Sequence, residues 1–323
     1  MANLSKRMPI DAVTADSVRI LGMLEKHLRE FVYGQKNAIS EVCRGIRIKS
    51  LGLGDNSKPD SYLFVGPSGV GKSWLAKNIA EVLFGTQDAL IYIDMSEMME
   101  QHSVSKLIGS PPGYIGYNEG GQLTDKVYNR PYCVVLLDEI EKAHPSILNI
   151  LLQVLQEGRL TDSKGKEIDF KHTIIVMTSN LGTKGSMSAL GFGTDVNQHR
   201  AGKITKEVEH YLAPELRNRI SSIVQFDALE ESSLKRIIEY ELKTKSEQTP
   251  YSITFDNSVV DFVLSKVIAS SKISEYGARE AKRIVNKEVI DKVAKMLVEA
   301  ESTTDLNHII KFDGKNIIME DKH

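Results

Sequence analysis

The segment Gly66-Pro67-Ser68-Gly69-Val70-Gly71-Lys72-Ser73 has the spacing G-x-x-x-x-G-K-[ST], that of a loop which cradles phosphate. Its glycines let backbone N–H groups close on phosphate oxygens, and a helix opening where the loop ends adds partial positive charge. Lys72 has the reach for the β- and γ-phosphates of a nucleoside triphosphate, and the Ser73 hydroxyl is a hard oxygen donor suited to Mg²⁺. Context supports the pattern. The apolar run Tyr62-Leu63-Phe64-Val65 precedes it, and Leu75, Ala76, Ile79, Ala80 and Leu83 mark one face of a helix after it.

Binding a nucleotide is not hydrolysing one, and the second candidate supplies that step. In Cys133-Val134-Val135-Leu136-Leu137-Asp138-Glu139, the aliphatic run suits a strand buried on both faces of a parallel sheet. Two acids at the carboxyl end of such a strand stand where open α/β sheets bind ligands. Asp138 is expected to hold the Mg²⁺ shell and Glu139 to polarise an attacking water.

The elements that must carry these residues alternate. Strands are expected at 62–65, 90–94, 133–137 and 173–178 with helices between them, which predicts a parallel sheet covered by helices. Helices are expected at 18–32 and 36–50 ahead of the first strand, and Leu160 to Phe170 reads as a hairpin with a Lys-Gly turn. Residues 183–203, rich in Gly, Ser and Thr without periodicity, read as a mobile loop. The composition changes near Glu230. Beyond it, helical patterns at 231–247, 257–268 and 277–299 dominate, with short strands at 251–255, 308–312 and 316–319. The expected division is a linker-like segment over 1–30, a large ATPase domain over 31–229 and a small C-terminal domain over 230–323.

Composition narrows the function classes. A formal net charge of −2 over 323 residues gives no basic field for nucleic acid. No apolar run approaches membrane-spanning length, and the first eleven residues lack a signal core, so a cytoplasmic setting without a membrane partner is expected. The two cysteines, Cys43 and Cys133, read as reduced, buried filler.

The motifs Arg29-Glu30-Phe31-Val32-Tyr33-Gly34-Gln35, the phosphate loop, Ile93-Asp94-Met95-Ser96-Glu97, Gly109-Ser110-Pro111-Pro112-Gly113-Tyr114-Ile115-Gly116, Asp138-Glu139-Ile140-Glu141-Lys142-Ala143-His144-Pro145 and Thr178-Ser179-Asn180 follow one another in order. Together they resemble the second ATPase domain of the Clp-type AAA+ unfoldases (ClpA, ClpB, ClpC). The resemblance runs from about residue 9 to the C-terminus. It implies an AAA+ α/β fold with a small, mostly helical lid domain, a hexameric ring, and ATP with Mg²⁺ as cofactors. Usual members carry an N-terminal substrate domain and a first ATPase domain that this sequence does not contain, so both a stand-alone single-ring relative and a fragment fit.

The resemblance also implies roles. Asn180 matches the first sensor, a neutral amide beside the γ-phosphate. Arg219, in Pro214-Glu215-Leu216-Arg217-Asn218-Arg219-Ile220, matches an arginine finger supplied to a neighbouring subunit. Arg279, in Tyr276-Gly277-Ala278-Arg279, matches the second sensor, which would couple lid position to nucleotide state. Here Glu280 and Ala281 stand where Pro and Leu are common. Val32 and Tyr33 match the segment that packs on adenine, while Ile237, a lid-side candidate, reads more simply as a core residue. Tyr114, an aromatic on a Gly- and Pro-flanked loop, matches the pore residue that grips extended polypeptide. Leu190-Gly191-Phe192 fits the hydrophobe-Gly-hydrophobe tripeptide with which protease-coupled members dock ClpP; a loop hydrophobe tucked against its own domain is the other reading.

The expected function is an ATP-driven unfoldase that threads polypeptide through a ring, with a ClpP-type protease as one prospective partner. A disaggregase without a protease and a nucleic-acid AAA+ motor are the alternatives. The motor calls for basic pore loops, against which Tyr114 and the near-neutral charge argue.

Overall fold

The computed structural model describes residues 14–114, 117, 120–181, 206–300 and 307–321. The chain divides into two compact units, one of Met1–Gly66 with Gly71–Phe226, the other of Pro67–Val70 with Asp227–His323.

The first unit is built on five parallel strands, β1 (Asp60–Val65), β2 (Leu90–Asp94), β3 (Val134–Asp138), β6 (Ile174–Ser179) and β7 (Ser222–Gln225), in the order β2-β3-β6-β1-β7. The register runs Asp60↔Ile174 to Val65↔Ser179 between β1 and β6, and Val134↔Ile174 to Leu137↔Met177 between β3 and β6. Every residue of β6 is buried, as a strand between two others and under helices must be. One face of the sheet contributes Leu63, Val135, Leu137, Ile175 and Met177 to a core completed by Leu107, Ile147, Leu151 and Phe170. Four of these strands were expected. The fifth, β7, was not: Ser222-Ile223-Val224-Gln225 is short and buries only Val224, too little alternation to announce an edge strand.

The two helices expected ahead of the first strand and the hairpin are present, while the loop expected over 183–203 lies outside the described residues. Helices occupy Ala15–Phe31 and Lys36–Ser50. The hairpin pairs β4 (Arg159–Thr161) with β5 (Glu167–Asp169) in antiparallel register. The Asp162 carboxylate accepts the N–H groups of Lys164 and Lys166 at 2.8 Å each, holding the turn.

In the second unit, helices Glu231–Gln248 and Asn257–Ala269 pack with a helical run from Ala278 to Glu299 that widens into a π-turn over Asn286–Ile290. Strands β8 (Ser252–Phe255), β9 (Asn307–Phe312) and β10 (Ile317–Asp321) form a small mixed sheet. Its core joins Ile238, Leu242, Val259, Val263, Val285, Val289 and Ile310. Glu280 lies buried in this unit, where Arg283 and Ser270 hydrogen-bond its carboxylate and hold it down to about 2. Ala281 is buried in the same core, so an ion pair and a small apolar contact stand where the resemblance implies Pro and Leu.

Candidate active site

The strand order is what assembles the site. β1, β6 and β3 are neighbours, so their carboxyl ends bring together the start of the phosphate loop after Val65, Asn180 after Ser179, and the Asp138-Glu139 pair. Gly66 has φ +151°, and a Cβ there would lie 2.5 Å from the Phe226 carbonyl oxygen. Only glycine lets the chain leave β1 this close to the backbone beyond β7.

Lys72 opens the helix Lys72–Phe84, and its side chain turns back into the loop. It is 7% exposed, and its ammonium donates to the Gly66 carbonyl at 2.6 Å and to Asn180 Oδ1 at 2.9 Å. A buried cation at the end of a phosphate loop suits an anionic ligand. Ser73 Oγ donates to Asp138 Oδ1 at 2.8 Å. This hydroxyl and carboxylate are the hard oxygen donors that Mg²⁺ takes beside phosphate oxygens, so the residues present fit that ion.

The two acids are held differently. Asp138 Oδ1 also accepts the Thr178 hydroxyl at 2.6 Å, and Oδ2 accepts the Tyr92 hydroxyl at 3.4 Å. Burial, then the Asp138 charge, pushes the Tyr92 phenol up to about 12, so it stays a donor. Glu139 has φ +58°, the one left-handed non-glycine among the described residues. That backbone costs about 1–2 kcal/mol in an L-residue and persists where surroundings impose it. Here the Glu139 N–H is taken by Thr178 Oγ1 at 3.0 Å, Oε1 accepts from Asn180 Nδ2 at 3.1 Å, and Oε2 pairs with the Lys142 ammonium. The hydrogen bond and charge of Glu139 raise the Lys142 pKa above its ordinary value. Glu141 Oε1 accepts the Asn180 backbone N–H at 3.0 Å, while its buried Oε2 meets no partner among the described residues. Thr178, Glu141 and Lys142 all fall inside motifs read from the sequence, yet nothing in residue type alone marked them as props for the acids.

Val32 is buried, and a Cβ on Gly71 would lie 3.8 Å from its Cγ1. The neighbouring Phe31 carbonyl accepts the Trp74 indole N–H at 2.9 Å, which ties this segment, half-buried Tyr33 included, to the helix after the loop. In the C-terminal unit, which takes in Pro67–Val70, Arg279 Nη1 donates to Ser68 Oγ at 3.2 Å. Ile237 is half-buried there.

Arg219 is not gathered with the others. It is exposed, just past the helix Pro214–Arg217, and its carbonyl accepts from Ser61 Oγ at the opposite end of β1 from the phosphate loop. Tyr114 also stands apart, 72% exposed after Gly113, which has φ +88° and, among the described residues, nothing within 4 Å of a Cβ. Leu190, Gly191 and Phe192 lie outside the described residues. Both thiols, Cys43 and Cys133, are fully buried, and burial pushes them up to about 12. Among the described residues no helix is long and apolar enough to cross a membrane.

Comparison with known proteins gives matches over most of the chain. The family described as AAA domain (Cdc48 subfamily) matches residues 58–223, and the C-terminal, D2-small domain of ClpB protein matches residues 229–310. A probable ATP-dependent Clp protease ATP-binding subunit of Chlamydia pneumoniae is 44% identical over 292 residues, covering 88% of this chain and 34% of that protein. Chaperone protein ClpB of Oceanobacillus iheyensis is 42% identical over 90% of this chain and 37% of its own length. The ATP-binding subunit ClpE of Bacillus subtilis is 40% identical over 95% of this chain and 44% of its own. A closed-state cryo-EM reconstruction of Hsp104 with ATPγS and FITC casein superposes with a TM-score of 0.85 at 33% identity, covering 97% of this chain and 53% of that one. The chain thus spans less than half the length of these three curated relatives. A phosphate loop, an acid pair and an asparagine on adjacent strand ends, with both family matches in sequence order, place the chain among the Clp-type AAA+ ATPases.

Proposed function

We propose that this chain hydrolyses ATP in a homo-hexameric ring and uses the cycle to unfold polypeptide through a central pore. The observation that carries the reading is the pairing, in one unit, of an ordered acid–amide cluster with an exposed aromatic on a separate loop. The phosphate loop and Lys72 hold the triphosphate, and Val32 with Tyr33 borders the base. Ser73 and Asp138 hold Mg²⁺, which when bound neutralises phosphate charge. Glu139 takes the proton of the attacking water, and Asn180 fixes both that carboxylate and the Lys72 ammonium. Arg219, at the far end of β1 from its own phosphate loop, serves a neighbouring copy, where a finger stabilises developing charge. Arg279 reports nucleotide state from the small domain over 230–323, and the large domain over 31–229 carries the chemistry. Tyr114 grips substrate through ring area, without reading sequence. Leu190-Gly191-Phe192 offers a ClpP-type protease a docking element, and the reduced thiols suit the cytosol.

The test joins assembly to work. Light scattering should give a hexamer with ATP, and specific ATPase activity should rise with protein concentration. The ring should unfold a tagged, folded reporter only with hydrolysable ATP. Arg219→Ala should bind ATP yet lose turnover and poison mixed rings. Concentration-independent turnover by a monomer would refute the ring, and turnover stimulated by DNA but not by unfolded protein would replace polypeptide with nucleic acid as substrate.

A further inference from the structure

We propose that Thr178 is a positioning residue for this hydrolysis, its one buried hydroxyl setting both the Asp138 carboxylate and the Glu139 backbone. The inference rests on the ATPase reading above. A threonine hydroxyl has one proton to give and lone pairs to accept with. Here the proton goes to Asp138 Oδ1 at 2.6 Å, which leaves a lone pair for the Glu139 N–H at 3.0 Å. The side chain is on β6, the central strand, and the residue is 1% exposed. The hydroxyl is therefore shielded from bulk solvent.

The position matters as much as the bonds. The register between β3 and β6 is recorded as far as Leu137↔Met177. One residue later β3 ends, and Glu139 turns into left-handed backbone. At that step the Thr178 side chain supplies the contact between the two strands. It holds the turn that aims Glu139 at Asn180 and Lys142.

Ser73 donates to the same Asp138 oxygen, but the two donors differ in freedom. Ser73 is half-buried in the first turn of the helix after the phosphate loop. Were Ser73 to hold a metal, Asp138 would lose that donor. Thr178 sits on a buried strand, its branched Cβ restricting rotation, and keeps the carboxylate oriented through the exchange.

The test compares Thr178→Val, which keeps the shape and loses the hydroxyl, with Thr178→Ala, which also relieves any crowding, and Thr178→Ser, which restores the hydroxyl. In the full chain, Val and Ala should lower kcat at least tenfold, and Ser should retain a third or more of it. ADP affinity, read from Trp74 fluorescence, should stay within threefold throughout. Without nucleotide, hydrogen exchange at the Glu139 amide should quicken at least tenfold in Val and Ala, and return toward wild type in Ser. A general packing defect would slow Ser along with the others and spread the exchange change along β6. Equal loss in all three variants, or unchanged Glu139 exchange in Val and Ala, overturns the proposal. Absence of turnover in the wild type overturns the ATPase reading instead, and the exchange comparison still decides Thr178.

Discussion

The strand tips and the Tyr114 loop belong to one unit but are built on opposite principles. At the tips, each functional group is held by several others. Asp138 accepts three hydroxyls, Glu139 is engaged at its N–H and both oxygens, and Lys72 is buried between a carbonyl and an amide. At the loop, Tyr114 is exposed, and a Cβ on Gly113 would meet nothing within 4 Å among the described residues. Chemistry on a phosphate needs reacting groups fixed within fractions of an ångström, and buried strand ends provide that. The proposed grip on a chain of arbitrary sequence would need contact area, which an exposed tyrosine on a glycine-bounded loop could offer. Substitutions in the two regions should therefore separate turnover from work.

The sharpest break comes from Glu139→Gln. The amide keeps the size of the side chain and leaves Asp138, Ser73 and Lys72 in place, but it cannot accept the water's proton. General-base contributions are about 10²–10⁴-fold, so kcat should fall at least about a hundredfold with ATP affinity little changed. Steady-state hydrolysis beside Trp74 fluorescence titration checks both. Turnover near wild type would remove Glu139 from the chemistry and erase the contrast.

Tyr114→Ala should do the reverse. ATPase activity without substrate should stay within about threefold, because no bond of the strand-tip cluster involves the ring, while reporter unfolding should drop about tenfold or more. Tyr114→Phe should keep most unfolding, since contact area outweighs the hydroxyl. If both activities fell together in Tyr114→Ala, the loop would have to be part of the phosphate site.

Gly66→Ala probes how tightly the tip is packed. The added Cβ meets backbone, the Phe226 carbonyl, at 2.5 Å, so the loop itself must shift. Nucleotide affinity should fall about tenfold, the cost of disturbing several charge-assisted bonds by a few tenths of an ångström, and the melting temperature should fall with it. Gly113→Ala, strained at φ +88° but with no neighbour within 4 Å among the described residues and outside the hydrogen-bond pattern of the strand tips, should leave nucleotide affinity unchanged.

The sequence disclosed one region better than the other. The phosphate loop and the acid pair were legible because glycines, a lysine and paired acids after an aliphatic run are residue types with few other uses at those spacings. The strands bearing them were legible because burial on both faces demands continuous apolar residues. Thr178, Glu141 and Lys142 were quoted within motifs but given no task, since a threonine that ends a strand looks like any β-former until β3 is seen beside β6. β7 escaped because a short edge strand needs only one buried side chain. Arg219 and Tyr114 took their roles from family resemblance alone; exposure and position are compatible with those roles, yet a lone exposed Arg or Tyr carries no such message by itself.

The smallest expected effect asks whether dense bonding alone marks a site of chemistry. Glu25, on the helix Ala15–Phe31, accepts hydrogen bonds from Ser40, Arg47 and Arg29 at 2.7 Å each. The Ser40 hydroxyl first, then Arg47 and Arg29, holds its carboxyl down to about 2. Unfolded, the group titrates near ~4.3. Its folded pKa is the lower one, so its stabilisation is complete above about pH 5 and is lost as pH falls toward 2. The side chain is 26% exposed, and solvent screening trims the benefit to about 1–2 kcal/mol. Glu25→Gln should therefore lower urea stability by about that much at pH 7, and the gap to wild type should close as pH approaches 2. Its kcat should match wild type, because the cluster joins two helices and holds neither acid of the strand tips. A large loss of turnover in Glu25→Gln at pH 7 would show that the helix pair ahead of β1 takes part in the chemistry, and the division between rigid tip and open loop would have to be redrawn to include it.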